Sequence, residues 1–84
     1  MNFNITIFNY FIGFADLNDD SDKTICVEHY LAADEKDCVK QCLETHGLFV
    51  HPKIDTIHKM MTLAEHNNFL ISWPRKIEVI INGS

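Results

Sequence analysis

Two cysteines and a histidine recur every four residues near the middle of the chain, at Cys38, Cys42 and His46. Residues four apart lie on one face of a helix, so this spacing would align two thiols and an imidazole. Thiolate and imidazole are ligands that Zn²⁺ prefers, and His29 or His51 could supply a fourth. Structural zinc sites, however, usually pair their cysteines across a tight turn, whereas this spacing falls within one predicted helix.

The same cysteines stand beside apolar residues, which favours a packing role. Val39 and Leu43 follow Cys38 and Cys42 directly, so the four side chains share one stripe of the predicted helix. A free buried cysteine behaves as a small apolar residue. We therefore expect Cys38 and Cys42 to be core residues that bind no metal, and we expect no cofactor. A metal-binding or redox module built on Cys38, Cys42 and His46 is the alternative.

A second cluster is acidic and follows the first apolar segment; its members are Asp16, Asp19, Asp20 and Asp22. Its alternating oxygen-bearing residues resemble the start of a calcium-binding EF-hand loop. That loop needs a glycine where this chain has Ser21 and a bidentate glutamate where it has Val27, so calcium is disfavoured. Two interpretations stay open. The loop is a solvated turn, or these four aspartates and Glu28 contact Lys and Arg on a partner.

The charge is distributed unevenly along the chain, whose formal net charge is −5. Residues 1–47 hold nine acids against three bases, and residues 48–84 hold three acids against four bases. A negative field repels nucleic acid and attracts basic surfaces. The sequence therefore predicts no direct nucleic-acid binding and a protein partner with a basic surface.

Signatures of catalysis and of membrane insertion are absent from the sequence. It contains no P-loop, no dinucleotide-binding glycine motif and no zinc-protease motif, so we expect no enzyme. No apolar run reaches the roughly 18 residues that a membrane span needs. The start of the chain lacks Lys and Arg, which disfavours a signal peptide. Three cysteines do not suit a disulfide framework, so reduced thiols in the cytoplasm are expected.

Hydrophobic periodicity predicts the elements that must position these groups. Two-residue alternation predicts strands over 3–14 and 24–31, joined as a hairpin by a loop at 15–22. In the second strand, Ile25, Val27 and Leu31 share one parity, and Thr24, Glu28 and Tyr30 share the other. The alternation changes phase after Phe8, which indicates either a bulge near Asn9 or burial on both faces.

Helical signals follow the hairpin. Asp34 as N-cap and Gly47 as terminator predict a helix over about 34–46. Spacings of three and four among Ile54, Ile57, Met61 and Ala64 predict a second helix over about 53–66. Strands are predicted at 69–73 and 77–81, and Pro74 between them leaves open whether they form a hairpin or one bent strand.

These elements predict an α+β fold of order β-β-α-α-β-β, in which an antiparallel sheet packs on two helices as a single domain over residues 1–84. Five aromatic residues crowd the first predicted strand. They exceed what one face of a small sheet needs, so we expect a homodimer with this apolar strand at its interface. An oligomeric accessory protein of this kind is the alternative to the interaction with a basic partner.

The small size, the acidity and the lack of a catalytic motif resemble the inhibitors that phages and mobile elements encode, such as anti-CRISPR and anti-restriction proteins, and also bacteriocin immunity proteins. The resemblance lies in size and charge and assigns no role to a residue. It implies an inhibitor that blocks a basic, nucleic-acid-handling partner.

Overall fold

The computed structural model of this chain describes residues 7–18 and 25–77. It has the predicted order of elements and confirms the α+β class. These elements are β1 (Phe8–Asp16), β2 (Cys26–Ala32), α1 (Glu35–Thr45), α2 (Ile57–His66), β3 (Phe69–Ile71) and β4 (Arg75–Ile77). Residues 3–6 of the first predicted strand, residues 19–22 of the predicted acidic loop and the end of the last predicted strand lie outside the described residues.

β1 is the central strand of the antiparallel sheet. It pairs with β2 on one side and with β3 and β4 in succession on the other. Its pairing with β2 runs without interruption from Phe8 opposite Ala32 to Phe14 opposite Cys26, so the first of the two alternatives, a bulge near Asn9, is wrong. The second, burial on both faces, holds for the end of β1, where Gly13 and Ala15 are buried on the opposite parity to Phe14. The strand also extends through Ala15 and Asp16, which the sequence assigned to the loop.

The irregularity lies instead in the last strand, between β3 and β4. Phe14 pairs with Ile71, whereas Phe11 pairs with Arg75. The segment from β3 to β4 therefore has one residue more than the stretch of β1 opposite it. The extra residue falls at Trp73–Pro74, where proline cannot donate to a ladder. Residues 69–77 therefore form one interrupted strand rather than a hairpin.

Both helices cover the same face of the sheet and enclose one core. Tyr10, Ile12 and Phe14 point from β1 toward the helices and are almost completely buried. The other members of the core are Ala32, Cys38, Val39, Cys42, Leu43, Val50, Met60 and Ala64. The confirmed burial of Cys38 and Cys42 follows from their place on the apolar stripe of α1.

β2 reverses the usual relation between polarity and burial. Apolar and polar residues alternate along β2 as predicted, but Glu28 and Tyr30 are on the side that faces the helices. Val27 and Leu31 point away and are 60% and 63% exposed. The sheet thus has a side that neither helix covers, here called the outer face, which carries Ile7, Asn9, Phe11, Gly13, Ala15, Ile25, Val27, His29, Leu31, Leu70, Arg75 and Ile77. Gly13 and Ala15 are nevertheless buried on this face.

The helix boundaries follow from side-chain caps. Asp34 accepts a hydrogen bond from the Asp37 amide at 2.8 Å and begins α1, and Gly47, with a φ of +83°, ends it as predicted. α2 begins at Ile57 rather than at about 53, because Thr56 caps it by accepting from the Lys59 amide at 3.2 Å.

The segment before α2 is not helical. The Ile54 amide donates to the His51 carbonyl at 2.8 Å, which closes a turn around Pro52. Of the predicted apolar stripe, Ala64 is buried as expected, but Met60 rather than Met61 is the other buried residue of α2. Neither helix in the described part of the chain is long and apolar enough to cross a membrane.

Candidate functional site

A cluster of four polar side chains joins β2 to the end of α1. Glu28 projects inward from β2, and Cys42 and His46 face it from successive turns of α1. Tyr30, two residues along β2, completes the group. We call these residues the Glu28 cluster.

The carboxylate of Glu28 is the centre of this cluster. His46 Nε2 lies 2.9 Å from Glu28 Oε1 and 2.8 Å from Oε2. The Tyr30 hydroxyl donates to Oε1, and the Cys42 thiol lies 3.7 Å from the same oxygen. The carboxylate therefore interacts with a phenol, an imidazole and a thiol, although its side chain is only 25% exposed.

Aromatic packing holds the His46 ring against the core. The ring stacks on Phe14 with a centroid distance of 3.6 Å and an interplanar angle of 7°. Phe14 in turn packs against Phe69 at 5.2 Å. His46 is the C-cap residue of α1, so its backbone position is fixed by the helix end and its ring plane by Phe14.

The cluster changes the acidity of its members. Burial alone would raise the pKa of Glu28, but the hydrogen bonds from Tyr30 and His46 outweigh that cost and hold the pKa below its ordinary value. Burial and the neighbouring carboxylate raise the pKa of Cys42 to about 12. Burial also raises the pKa of Cys38 to about 11, with a contribution from Asp37. Cys38 and Cys42 are therefore neutral thiols at pH 7.

The structure brings together only part of the predicted metal set. Cys42 and His46 converge, but Glu28 rather than Cys38 is the third group within 4.8 Å. His29 lies on the outer face near Phe11, and His51 accepts from the Lys53 amide in the turn before α2. Helical spacing did not predict Glu28 as a neighbour of His46, because 18 residues separate the two in the chain. The sequence showed only that Glu28 and Tyr30 share one side of β2, not that this side faces the helices.

The predicted partner-binding residues are mostly outside the described residues, namely Asp19, Asp20 and Asp22. Asp16 closes a local turn, because its carboxylate accepts from the Asn18 amide at 2.9 Å. Glu28 is directed into the Glu28 cluster, where its carboxylate already has three partners. A role for Asp16 and Glu28 in binding a partner stays a prediction.

The base of the acidic loop is tied to the turn between α2 and β3. The Leu17 amide donates to the Asn68 carbonyl at 2.8 Å, and the Asn18 side chain donates to the Asn67 carbonyl at 2.9 Å. Asn68 also donates to Asn18 Oδ1 at 3.1 Å and has a φ of +59°. The first residues of the loop thus leave the sheet from a fixed base.

No protein-family model matches this chain, and neither the curated proteins nor the solved structures contain a significant match to it.

Proposed function

We propose that this protein is a non-enzymatic interaction module that forms a homodimer through its outer face. The observation that carries the proposal is the uncovered apolar surface of the sheet. Ile25, Val27 and Leu31 are 59–63% exposed there, and Ile7 and Leu70 are 58% and 46% exposed. Soluble monomers rarely leave a contiguous apolar patch of several hundred Å² in water.

The charge of the outer face supports a second copy as its occupant. The described residues of that face include no carboxylate, and Arg75 is its fixed charge. The whole chain carries −5, so two copies repel each other over most of their surfaces. The outer face has no carboxylate among its described residues and carries five of the eight large apolar side chains that are exposed in the described part of the chain.

The size of the outer face fits a weak dimer. Nine residues at ~3.3 Å and three strand positions at ~4.8 Å give a face of roughly 30 by 14 Å. Two such sheets pack about 10 Å apart and bury both apolar faces. The plan area of about 400 Å² is below the roughly 800 Å² per partner of a standard interface, which is the size range of weak and transient contacts.

One detail favours face-to-face packing over pairing along the edge of β2. The Gln41 side chain donates to the Leu31 carbonyl at 2.8 Å and occupies an acceptor on that edge. The outer face, in contrast, has a largely apolar pocket of about 250 Å³ beside Gly13, lined by Ile25, Leu70, Ile71 and Ser72. An aliphatic side chain of the second copy would occupy this pocket in the proposed dimer.

The neutral thiols support a role other than catalysis. A nucleophilic cysteine needs a lowered pKa and an adjacent base that is free to take its proton. Cys42 has a raised pKa, and His46 Nε2 is directed at Glu28 rather than at the thiol. The three free cysteines also favour a reducing compartment, which is why we place the protein in the cytoplasm.

The test is the substitution Val27→Lys at the centre of the outer face. Lysine is readily solvated at this exposed position in a monomer but would be buried in the dimer, so we expect at least a tenfold increase in the dissociation constant. Sedimentation at micromolar concentration measures it. Phe49→Lys is the matched control. Phe49 is 71% exposed and lies off the sheet, and its substitution adds the same positive charge. A wild-type chain that sediments only at 9.7 kDa would contradict the proposal.

A second candidate function is the blocking of a basic, nucleic-acid-handling partner by the acidic loop. The fixed base of the loop at Leu17 and Asn18 favours it, because an anchored loop loses less entropy on binding. This function has a salt dependence opposite to that of the homodimer.

A further inference from the structure

We propose that Glu28, Cys42 and His46 form a binding site for one Zn²⁺ ion that connects β2 to the C-terminal end of α1. The site is independent of the outer face, since these three side chains lie on the helix-covered side of the sheet. The inference rests on the convergence of a carboxylate, a thiol and an imidazole whose ligand atoms all lie within 4.8 Å of one another.

The distances suit a tetrahedral ion. Bonds of about 2.0–2.3 Å to O, N and S place neighbouring ligand atoms roughly 3.3–3.6 Å apart. Cys42 Sγ and Glu28 Oε1 are already 3.7 Å apart, and His46 Nε2 lies 2.8 Å from Glu28 Oε2. A tetrahedral ion would therefore need the imidazole and the carboxylate about half an ångström further apart. It would also need the Cys42 thiol and the His46 imidazole, whose ligand atoms lie within 4.8 Å of each other, at a similar spacing.

The arrangement also follows a known mode of helical ligation. Two ligands four residues apart on one helix face can bind the same zinc ion, as in metalloprotease helices. Cys42 and His46 have this spacing, and Glu28 approaches from the facing strand. Three protein ligands leave the fourth position for water. Glu28 and His46 are 25% and 27% exposed, so that position is reachable from solvent.

Neighbouring residues orient the ligands. Tyr30 donates to the Glu28 carboxylate, and Phe14 fixes the plane of the His46 ring at 3.6 Å. Such supporting contacts are typical around metal ligands. On binding, the Cys42 S–H bond breaks, its proton passes to the buffer, and the sulfur electron pair forms the bond to Zn²⁺.

The experiment is a titration of the full chain with Co²⁺, which reports ligand type by absorption, followed by displacement with Zn²⁺. We expect one equivalent to bind, with a thiolate-to-metal charge-transfer band and the intense visible bands of a four-coordinate site. Cys42→Ser should abolish the charge-transfer band. Glu28→Gln and His46→Gln should each weaken binding at least tenfold, and Tyr30→Phe about tenfold.

Two variants serve as controls. Cys26→Ser removes the exposed thiol, and Cys38→Ser removes the other buried thiol of α1. Neither should change the stoichiometry or the charge-transfer band. Circular dichroism of each variant establishes that it is folded, and Glu28→Gln provides a ligand deletion that leaves the core thiols in place. Lack of binding to the folded wild type, or a charge-transfer band that survives in Cys42→Ser, would overturn the proposal.

Discussion

The carboxylate of Glu28 shows how a charge is tolerated beneath the sheet. Removing it from water opposes ionisation, whereas donors from Tyr30 and His46 favour it, and the lowered pKa indicates that the donors prevail. Hydrogen bonds to charged groups contribute about 1.5–3 kcal/mol, more than neutral ones. The same carboxylate raises the pKa of Cys42, so one residue keeps its own charge and suppresses that of its neighbour.

At this scale we predict that Glu28→Gln destabilises the metal-free protein by about 1–3 kcal/mol at pH 7, because the substitution removes the charge that satisfies Tyr30 and His46. A lowered folded-state pKa adds stability above the unfolded value of about 4.3, and this contribution is lost as pH falls through the folded-state pKa. The difference between wild type and variant should therefore shrink below pH 4.

Urea unfolding in the presence of a chelator, at pH 7 and at pH 3, measures this difference. Asp55→Asn is the control, because the ion pair of Asp55 with Lys59, 3.1 Å long, has both side chains more than half exposed. Solvent screens such a pair, so its loss should change stability little. A Glu28→Gln effect that stays constant across this pH range would show that the carboxylate charge does not contribute.

At the scale of elements, signals within one segment of the sequence predicted helix ends correctly, whereas features that depend on contacts between distant segments were not predicted. Asp34 and Gly47 fix the ends of α1 from within its own sequence, and the structure confirms both. The sequence could not show which side of β2 faces the core, because Glu28 and Tyr30 are covered only through their contacts with α1. The start of α2 was misplaced because the turn at His51–Ile54 consumes residues that also match helical spacing.

The boundary of α2 gives an element-scale prediction. Thr56→Ala removes the oxygen that accepts from the Lys59 amide and should cost about 1 kcal/mol of unfolding free energy. Thr62→Ala on the same helix is the matched control. Thr62 is exposed and its hydroxyl donates to the His58 carbonyl, so alanine should be neutral or slightly stabilising by helix propensity. Equal effects of the two substitutions would place the start of α2 elsewhere.

At the scale of the whole molecule, the two sides of the sheet have different chemistry. The helix-covered side contains the core and the Glu28 cluster, whereas the outer face is apolar and has no carboxylate among its described residues. Most of the negative charge belongs to the first 47 residues. A homodimer joined by apolar contact and a complex joined by charge attraction therefore respond to salt in opposite directions.

We predict that added salt strengthens the homodimer. The Debye length falls from about 10 Å at 0.1 M to about 3 Å at 1 M, which screens the repulsion between two chains of charge −5 while apolar contact persists. Changing Asp16, Asp19, Asp20 and Asp22 together to Asn takes the formal charge to −1, so this variant should dimerise more tightly at low salt and lose most of the salt dependence. Sedimentation equilibrium from 0.05 to 1 M NaCl measures both effects.

A complex with a basic partner would behave oppositely, because the partner's affinity for the wild type falls as salt is added and the four substitutions weaken that affinity. If the dimer of the wild type instead dissociated as salt rose, charge pairs would hold the two copies together, and the apolar outer face would not be their interface.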